Sequence, residues 1–362
     1  MGNLDLLKVS LPVKMFEPRS YLQKLTDPWV YPRFLQLAAQ SKDPVERLQW
    51  VVTYFIAGFH RAFTRWAKPF NPILGETWQA TAADGSRIYL EQISHHPPIS
   101  AFQLLGPHGM YTFCGQSQPS VSYKTNAVRT TARGYRVIDF ADGGRIEVHF
   151  PAYYLKGLLY TSAPRGELTG TAEFVDAANG LQAVVTFGPV EGARSSVLWR
   201  PDAFSGSIYL QQPRAPLERQ ASGGVADSGW VMPTGGDKAK RSASSFSSIG
   251  SMMRTGLGGL GLRSKSSPAV AEEATGRDVV ASCSGNWLSH LDWGSDRWWT
   301  LLEEAAVEWE PVPHPLPSDC RYRDDLAALA AGDVKAAQAA KEALEQRQRA
   351  DAKLRKAGGG SG

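Results

Sequence analysis

Polar and apolar residues follow several distinct patterns along the 362-residue chain, and the places where the pattern changes mark its organisation. Leu4, Leu7 and Leu11 recur at i, i+3 and i+7, an apolar stripe that Pro12 ends. That stripe predicts a short amphipathic segment within residues 1–20, either a lid or a strip packed on the core. From Tyr21 to Trp66 the period is helical, with Asp43 as N-cap and Pro44 in the first turn of a run beginning at Val45. Over residues 67–212 the pattern becomes successive strands broken by glycine turns, at Phe113-Cys114-Gly115, Asp142-Gly143-Gly144, Asn179-Gly180 and Phe187-Gly188-Pro189. A long antiparallel meander of this kind hides its edges by curling toward a barrel or packs as a sandwich, and the pattern suits both.

Residues 213–278 are rich in Gly, Ser and Pro and read as a flexible insertion. Within it Phe246, Ile249, Met253, Leu257 and Leu260 keep helical spacing, with Lys238, Lys240 and Arg241 upstream. The glycines around them make a poor helix in water. Two readings follow: a membrane-sensing segment from Phe246 to Leu260 that folds only on a bilayer, or plain disorder. Ser242 and Ser244 offer phosphorylation sites that would oppose anionic lipid. Strand-like order resumes over residues 279–310, where Trp287, Trp293, Trp298, Trp299 and Trp309 belong either to the core or to a membrane-facing rim. Residues 311–362 end in an Ala-, Glu-, Lys- and Arg-rich stretch, helical from Val334, that sets Lys341, Glu345 and Arg349 on one face. Glu345 can bridge both cations, each pair contributing about 0.2–0.5 kcal/mol if solvated.

A hydrophobic content of 43% supports a substantial core, and a net charge of +4 is too mild for nucleic acid although it suits an anionic membrane surface. Cys114, Cys283 and Cys320 are odd in number and far apart, which favours a reducing, cytoplasmic compartment over a disulfide scaffold. The longest apolar run, Val51 to Phe59, is far shorter than the ~20 residues of a membrane span, so membrane contact is expected to be peripheral. The opening residues lack a secretory pattern, and Leu6 stands where a myristoylation site needs Ser or Thr.

The most distinctive chemistry is Glu91 to Pro98, EQISHHPP. The alternating residues before it predict a strand, and the prolines keep His95 and His96 at its end or in the following loop. Neighbours on extended backbone point to opposite sides and no HExxH or CxxC accompanies them, so no metal is expected. Ser94 beside His95 lacks a nucleophile elbow, and no catalytic residue or cofactor is assigned. Two readings remain: imidazoles that donate to a phosphate, which would favour their protonated form, and turn histidines satisfied by backbone carbonyls. In Lys68 to Glu76, KPFNPILGE, the prolines stiffen the chain, Gly75 permits a tight turn, and Lys68 and Asn71 offer a cation and an amide.

EQISHHPP, the stretch KPFNPILGETW and the C-terminal SDCRYRDDLAALAAGDVKAAQAAKEALEQRQR together resemble the oxysterol-binding-protein-related lipid transfer family. The resemblance implies a mainly β fold with α: a large incomplete antiparallel β-barrel enclosing a lipid tunnel, an N-terminal lid, and helical segments before and after the barrel. It implies that Lys68, Asn71, His95, His96, Lys341, Glu345 and Arg349 surround the headgroup of phosphatidylinositol 4-phosphate, and that Leu7 and Leu11 cover the lipid. Two acyl chains of roughly thirty methylenes, at ~0.8 kcal/mol each, explain why a carrier must enclose them. EPRSYLQKL, DPVERLQWVVTYFIAGFHRAF, KGLLYTS and VVASCSGNW are similar to the phosphatidylserine-carrying subgroup, which makes phosphatidylserine the expected exchange partner and sterol the alternative. The expected setting is cytoplasmic, peripheral at membranes, at endoplasmic reticulum contact sites. A phosphoinositide sensor without transfer and a hydrolase using Ser94, His95 or a bound metal are the rival classes.

Overall fold

Residues 44–63 are apolar around most of the helix circumference rather than along one stripe, and a helix of that kind has to be surrounded. The computed structural model, which describes residues 12–63, 67–124, 127–157, 165–188, 202–211 and 278–358, surrounds it with a sheet. Leu7, Leu11, Ser242, Ser244 and the stretch from Phe246 to Leu260 lie outside the described residues. The chain enters through β1 (Phe16–Ser20), α1 (Tyr21–Leu25), α2 (Pro32–Gln40) and α3 (Pro44–Phe63). Asp43 Oδ1 accepts the Val45 amide at 3.0 Å, so α3 starts as its sequence predicts. Val51, Val52, Tyr54, Phe55, Ile56, Ala57 and Phe59 on α3 are all buried, each large side chain contributing about 1.5–3 kcal/mol. Gly58 permits the closest approach, because a Cβ there would lie 1.8 Å from the carbonyl oxygen of Pro28.

β2 (Lys68–Phe70) returns beside β1 as a parallel two-stranded sheet, with Phe16 opposite Lys68 and Ser20 opposite Phe70. β1 is a departure from the expectation for residues 1–20, where Pro18 obscures the strand. Then come β3 (Thr77–Thr81), β4 (Arg87–His95), β5 (Pro98–Leu105), β6 (Tyr111–Lys124), β7 (Ala127–Arg133), β8 (Arg136–Phe140), β9 (Arg145–His149) and β10 (Ala152–Lys156). They are followed by β11 (Arg165–Asp176), β12 (Leu181–Phe187), β13 (Ala203–Leu210), β14 (Asp278–Asn286), β15 (His290–Trp293), β16 (Asp296–Thr300) and β17 (Glu310–Pro311). The strands from β3 onward form one 15-stranded sheet running from β16 to β17. All its strand pairs are antiparallel. A single continuous sheet excludes the sandwich, and since β16 and β17 do not pair with one another the barrel is incomplete.

The sheet forks at its two longest strands. One part of β6 pairs with β8 and the other with β7, while β11 pairs with β9 near its end and β10 near its start. The two routes, β8–β9 and β7–β10, rejoin the same pair of strands and bend the sheet around α3. Phe55 meets Phe113 of β6 at 5.3 Å and Phe174 of β11 at 5.7 Å, and Trp293 Nε1 of β15 donates to Thr53 Oγ1 at 3.1 Å. Trp287, Trp293 and Trp299 are buried, and Trp298 packs on Trp50 at 4.1 Å, so these tryptophans belong to the core. The three cysteines are free. The chain closes with α4 (Asp324–Ala330) and α5 (Val334–Gly358). Among the described residues no helix is long and apolar enough to cross a membrane.

Candidate functional site

Three distant segments meet where α5 passes the end of the β4–β5 hairpin. The first is β2 and its turn. Lys68 Nζ donates to Asn71 Oδ1 at 2.9 Å and to the Pro69 carbonyl at 3.2 Å, and lies 4.6 Å from the centre of the Phe16 ring. The second is α5, which brings Lys341 Nζ to 5.7 Å from that ring and pairs it with Glu345 Oε1 at 2.6 Å. Phe16 thus carries two ammonium groups, a cation–π arrangement that positions both without neutralising either. Glu345 also faces Arg349 at 3.9 Å, so the bridge suggested by the helical spacing is present, but Lys341 is buried at 6% exposure rather than solvated.

The third segment is the hairpin itself. β4 ends at His95, β5 begins at Pro98 opposite it, and the His96–Pro97 peptide is cis. The expectation that the two histidines point to opposite sides fails. Their rings are 4.5 Å apart, because His95 is the last residue of β4 and pairs with Pro98, which leaves His96 in the two-residue turn, where the strand's alternation no longer applies. Gln348 of α5 reaches His95 Nδ1 at 3.4 Å. Lys68, Asn71, His95, His96, Lys341, Glu345 and Arg349 therefore form one contiguous group.

The electrostatics of this group are unbalanced. Burial, followed by the neighbouring Lys341, pulls the Lys68 ammonium down to about 8, partly offset by Glu345. Burial and then the adjacent His96 hold His95 below the usual imidazole range. Among the described residues three cations lie around the Glu345 carboxylate, and the His95 imidazole is poised to be neutral until an anion arrives. Such a site fits a multiply charged, oxygen-rich group, since each donor alone would gain only ~1 kcal/mol in water at 4 Å.

A buried ion network holds the site in shape. Arg323, just before α4, donates to Glu76 Oε2 and to the Asn71 carbonyl, both at 2.8 Å, and grips Asp325 at 2.7 and 3.0 Å. Glu76 also accepts the Ile73 amide at 3.0 Å and the Ser20 hydroxyl, and burial raises its pKa despite Arg323. Gly75, at φ +79°, makes the turn that lets Glu76 fold under KPFNPIL. Phe16, Glu76, Arg323 and Gln348 escaped the sequence reading. Glu76 and Arg323 lie inside the quoted motifs but 247 residues apart, and Phe16 looks like an ordinary core residue.

The curved antiparallel sheet around a buried helix recurs in solved structures. The Osh1 ORD domain solved in complex with cholesterol superposes with a TM-score of 0.70 at 20% identity, covering 99% of this chain and 78% of that one. The Osh3 ORD of Saccharomyces cerevisiae, solved in complex with PI(4)P, superposes with a TM-score of 0.67 at 20% identity, covering 96% and 81%. In sequence, residues 1–361 match the oxysterol-binding protein family. Oxysterol-binding protein 9 of Dictyostelium discoideum is 30% identical over 347 residues, 95% of this chain and 70% of the relative. Human oxysterol-binding protein-related protein 8 is 34% identical over 190 residues, 51% of this chain but only 21% of that much longer protein. The chain belongs to the oxysterol-binding protein family, a family of lipid-binding and lipid-transfer proteins.

Proposed function

We propose that this chain exchanges phosphatidylinositol 4-phosphate for a second lipid, phosphatidylserine, between membranes. The inositol phosphates bind to Lys68, Asn71, His95, His96, Lys341 and Arg349, with Glu345 orienting the last two cations. The observation that carries this reading is the convergence of Lys68 and Lys341 on Phe16 beside the histidine hairpin. Excess positive charge in a partly buried setting suits a phosphomonoester of about −1.5 to −2 charges. The Osh3 complex with PI(4)P, a protein of the same fold, supports the ligand class. The Osh1 complex with cholesterol favours one second reading, exchange against sterol. The protein acts at membrane surfaces as a peripheral carrier, including endoplasmic reticulum contact sites.

Transfer of phosphatidylinositol 4-phosphate between donor and acceptor liposomes tests this. The acceptor carries phosphatidylserine, sterol or neither, and the native chain is compared with the His95→Ala/His96→Ala variant. Phosphatidylserine is expected to accelerate transfer, and the double variant to lose it. Acceleration by sterol alone would replace the second lipid, while transfer equal to the protein-free rate despite binding would leave a sensor.

A further inference from the structure

The inward side of the sheet carries a polar line that the headgroup group does not use. Gln92 on β4, Ser100 on β5 and Ser117 on β6 are successive partners in register, and all are buried. Arg136 opens β8 opposite Gly115, next along the same face of β6. The first half of the line is closed on itself: Ser100 Oγ donates to Gln92 Oε1 and Gln92 Nε2 to the Ser94 carbonyl, both at 2.6 Å. The second half is not. Tyr21 and Ser117 share a hydroxyl contact at 3.0 Å, and Tyr21 follows Ser20, whose hydroxyl lies on Glu76 in the network beneath the candidate site. Tyr21 remains partly accessible although its neighbours are covered.

Arg136 is 3% exposed and stacks 4.6 Å from the Phe150 ring centre. Its guanidinium reaches backbone carbonyls, Ala132 at 3.3 and 3.4 Å and Gly134 at 3.3 Å, longer than an ordinary N–H···O bond of about 2.7–3.2 Å. Among the described residues no carboxylate stands within ion-pair distance of it. Burial, opposed by Tyr21, brings its pKa down to about 10, so it remains a cation at neutral pH. A buried charge is normally paired, as Arg323 is paired twice in this same protein.

We infer that Arg136, with the hydroxyls of Ser117 and Tyr21, forms an interior anion subsite that takes an acidic oxygen of the carried lipid, from a carboxylate or a phosphodiester. The inference rests on the reading of the chain as a lipid carrier. A planar guanidinium with adjacent hydroxyl donors matches two-pronged recognition of such a group, and the apolar surroundings strengthen the contact. A neutral sterol hydroxyl brings no counter-charge. The acidic oxygen has two sources, the phosphodiester of phosphatidylinositol 4-phosphate itself or the headgroup of the exchanged lipid.

Extraction from phosphatidylcholine liposomes carrying trace phosphatidylinositol 4-phosphate, phosphatidylserine or cholesterol separates these. The native chain is compared with Arg136→Gln, Arg136→Lys and His95→Ala/His96→Ala. Arg136→Gln is expected to lower extraction of an acidic lipid by about tenfold or more, the loss of a charge-assisted bond, while cholesterol is unaffected and Arg136→Lys, which keeps the charge but not the planar fork, falls between the native chain and Arg136→Gln. Loss confined to phosphatidylserine assigns the subsite to the exchanged lipid, and loss confined to phosphatidylinositol 4-phosphate assigns it to that phosphodiester. Loss of both assigns it to either lipid in turn. Unchanged uptake of both acidic lipids by Arg136→Gln, or an equal fall for cholesterol, overturns the inference. If circular dichroism shows Arg136→Gln unfolded, Ser117→Ala and Tyr21→Phe replace it, with a smaller loss of the same lipid expected and no loss overturning the subsite. Failure of the headgroup reading shows separately, as extraction of phosphatidylinositol 4-phosphate by the native chain that His95→Ala/His96→Ala leaves intact.

Discussion

Arg323 and Arg136 are both buried arginines in one protein, and their surroundings differ in kind. Arg323 is held by Glu76 and Asp325 and in turn holds the Asn71 carbonyl, so its charge is consumed in fixing the lysine-bearing turn. Arg136 meets carbonyl oxygens at long range and an aromatic face. A buried cation with two carboxylates is part of the frame, whereas one without a counter-charge keeps electrostatic capacity for something that arrives later. The same distinction separates Arg323 from Lys68 and Lys341, which share the Phe16 ring, Lys341 also pairing with Glu345.

The strongest way to break this comparison is to remove each arginine and measure urea unfolding. Arg323→Ala strands Glu76 and Asp325 as buried carboxylates and is expected to cost about 3–5 kcal/mol. Arg136→Gln strands no acid and leaves an amide that can still meet one carbonyl, so a cost of about 1 kcal/mol is expected. Equal losses would show that Arg136 is structural in the same sense as Arg323.

Binding as a function of pH sharpens the contrast further. The free protein's Lys68 has a pKa of about 8, below the ordinary lysine range, and a phosphate favours its charged form. The contribution of Lys68 to phosphoinositide affinity should therefore be full below pH 8 and fall as pH rises through it, by up to about tenfold per unit. Lys68→Arg stays charged and should flatten that limb. His95 works in the opposite window: held low by burial and by His96, it must take up a proton to meet phosphate as a cation. Affinity should therefore rise as pH falls toward the acidic side of neutrality, and His95→Asn/His96→Asn should abolish the rise. Liposome binding across pH 5.5–9.5 reads both limbs, a range set by the ordinary pKa values of about 6.5 and 10.4. The smallest effect is expected at an exposed pair, Arg145 with Asp139 at 2.8 Å, where Arg145→Ala should change unfolding stability by at most about 1 kcal/mol.

The elements were legible wherever the pattern was local. The turns at Gly143 and Gly180, the Asp43-Pro44 helix start, the strand before His95 and the helix from Val334 are set by backbone preferences and by the spacing of apolar residues, and each appears where its residues put it, whereas Phe113-Cys114-Gly115 lies inside β6, with Gly115 paired to Arg136, rather than in a turn. Quoted motifs identified the family because they are long and occur in order. Three other features were not legible for a common reason. The strand at Phe16–Ser20 depends on a parallel partner 52 residues later, at Lys68. The side-by-side histidine rings depend on where the β4–β5 pairing ends, which no single strand displays. The Glu76–Arg323 bond joins residues whose separation hides any pattern.

Residue order by itself determined the sequence of helices and strands, the apolar content of the helix that the sheet encloses, and the chemical types available for a phosphate: two imidazoles, two lysines, an arginine and an amide. Which of these groups meet, and which charges are already compensated, was decided only in three dimensions. Pairing energy depends on distance and on exclusion of water, and both arise when β2, the β4–β5 hairpin and α5 close on one another. Lys341 is the simplest case: helical spacing places it near Glu345, but only the packing of α5 against Phe16 turns a solvated lysine into a buried one.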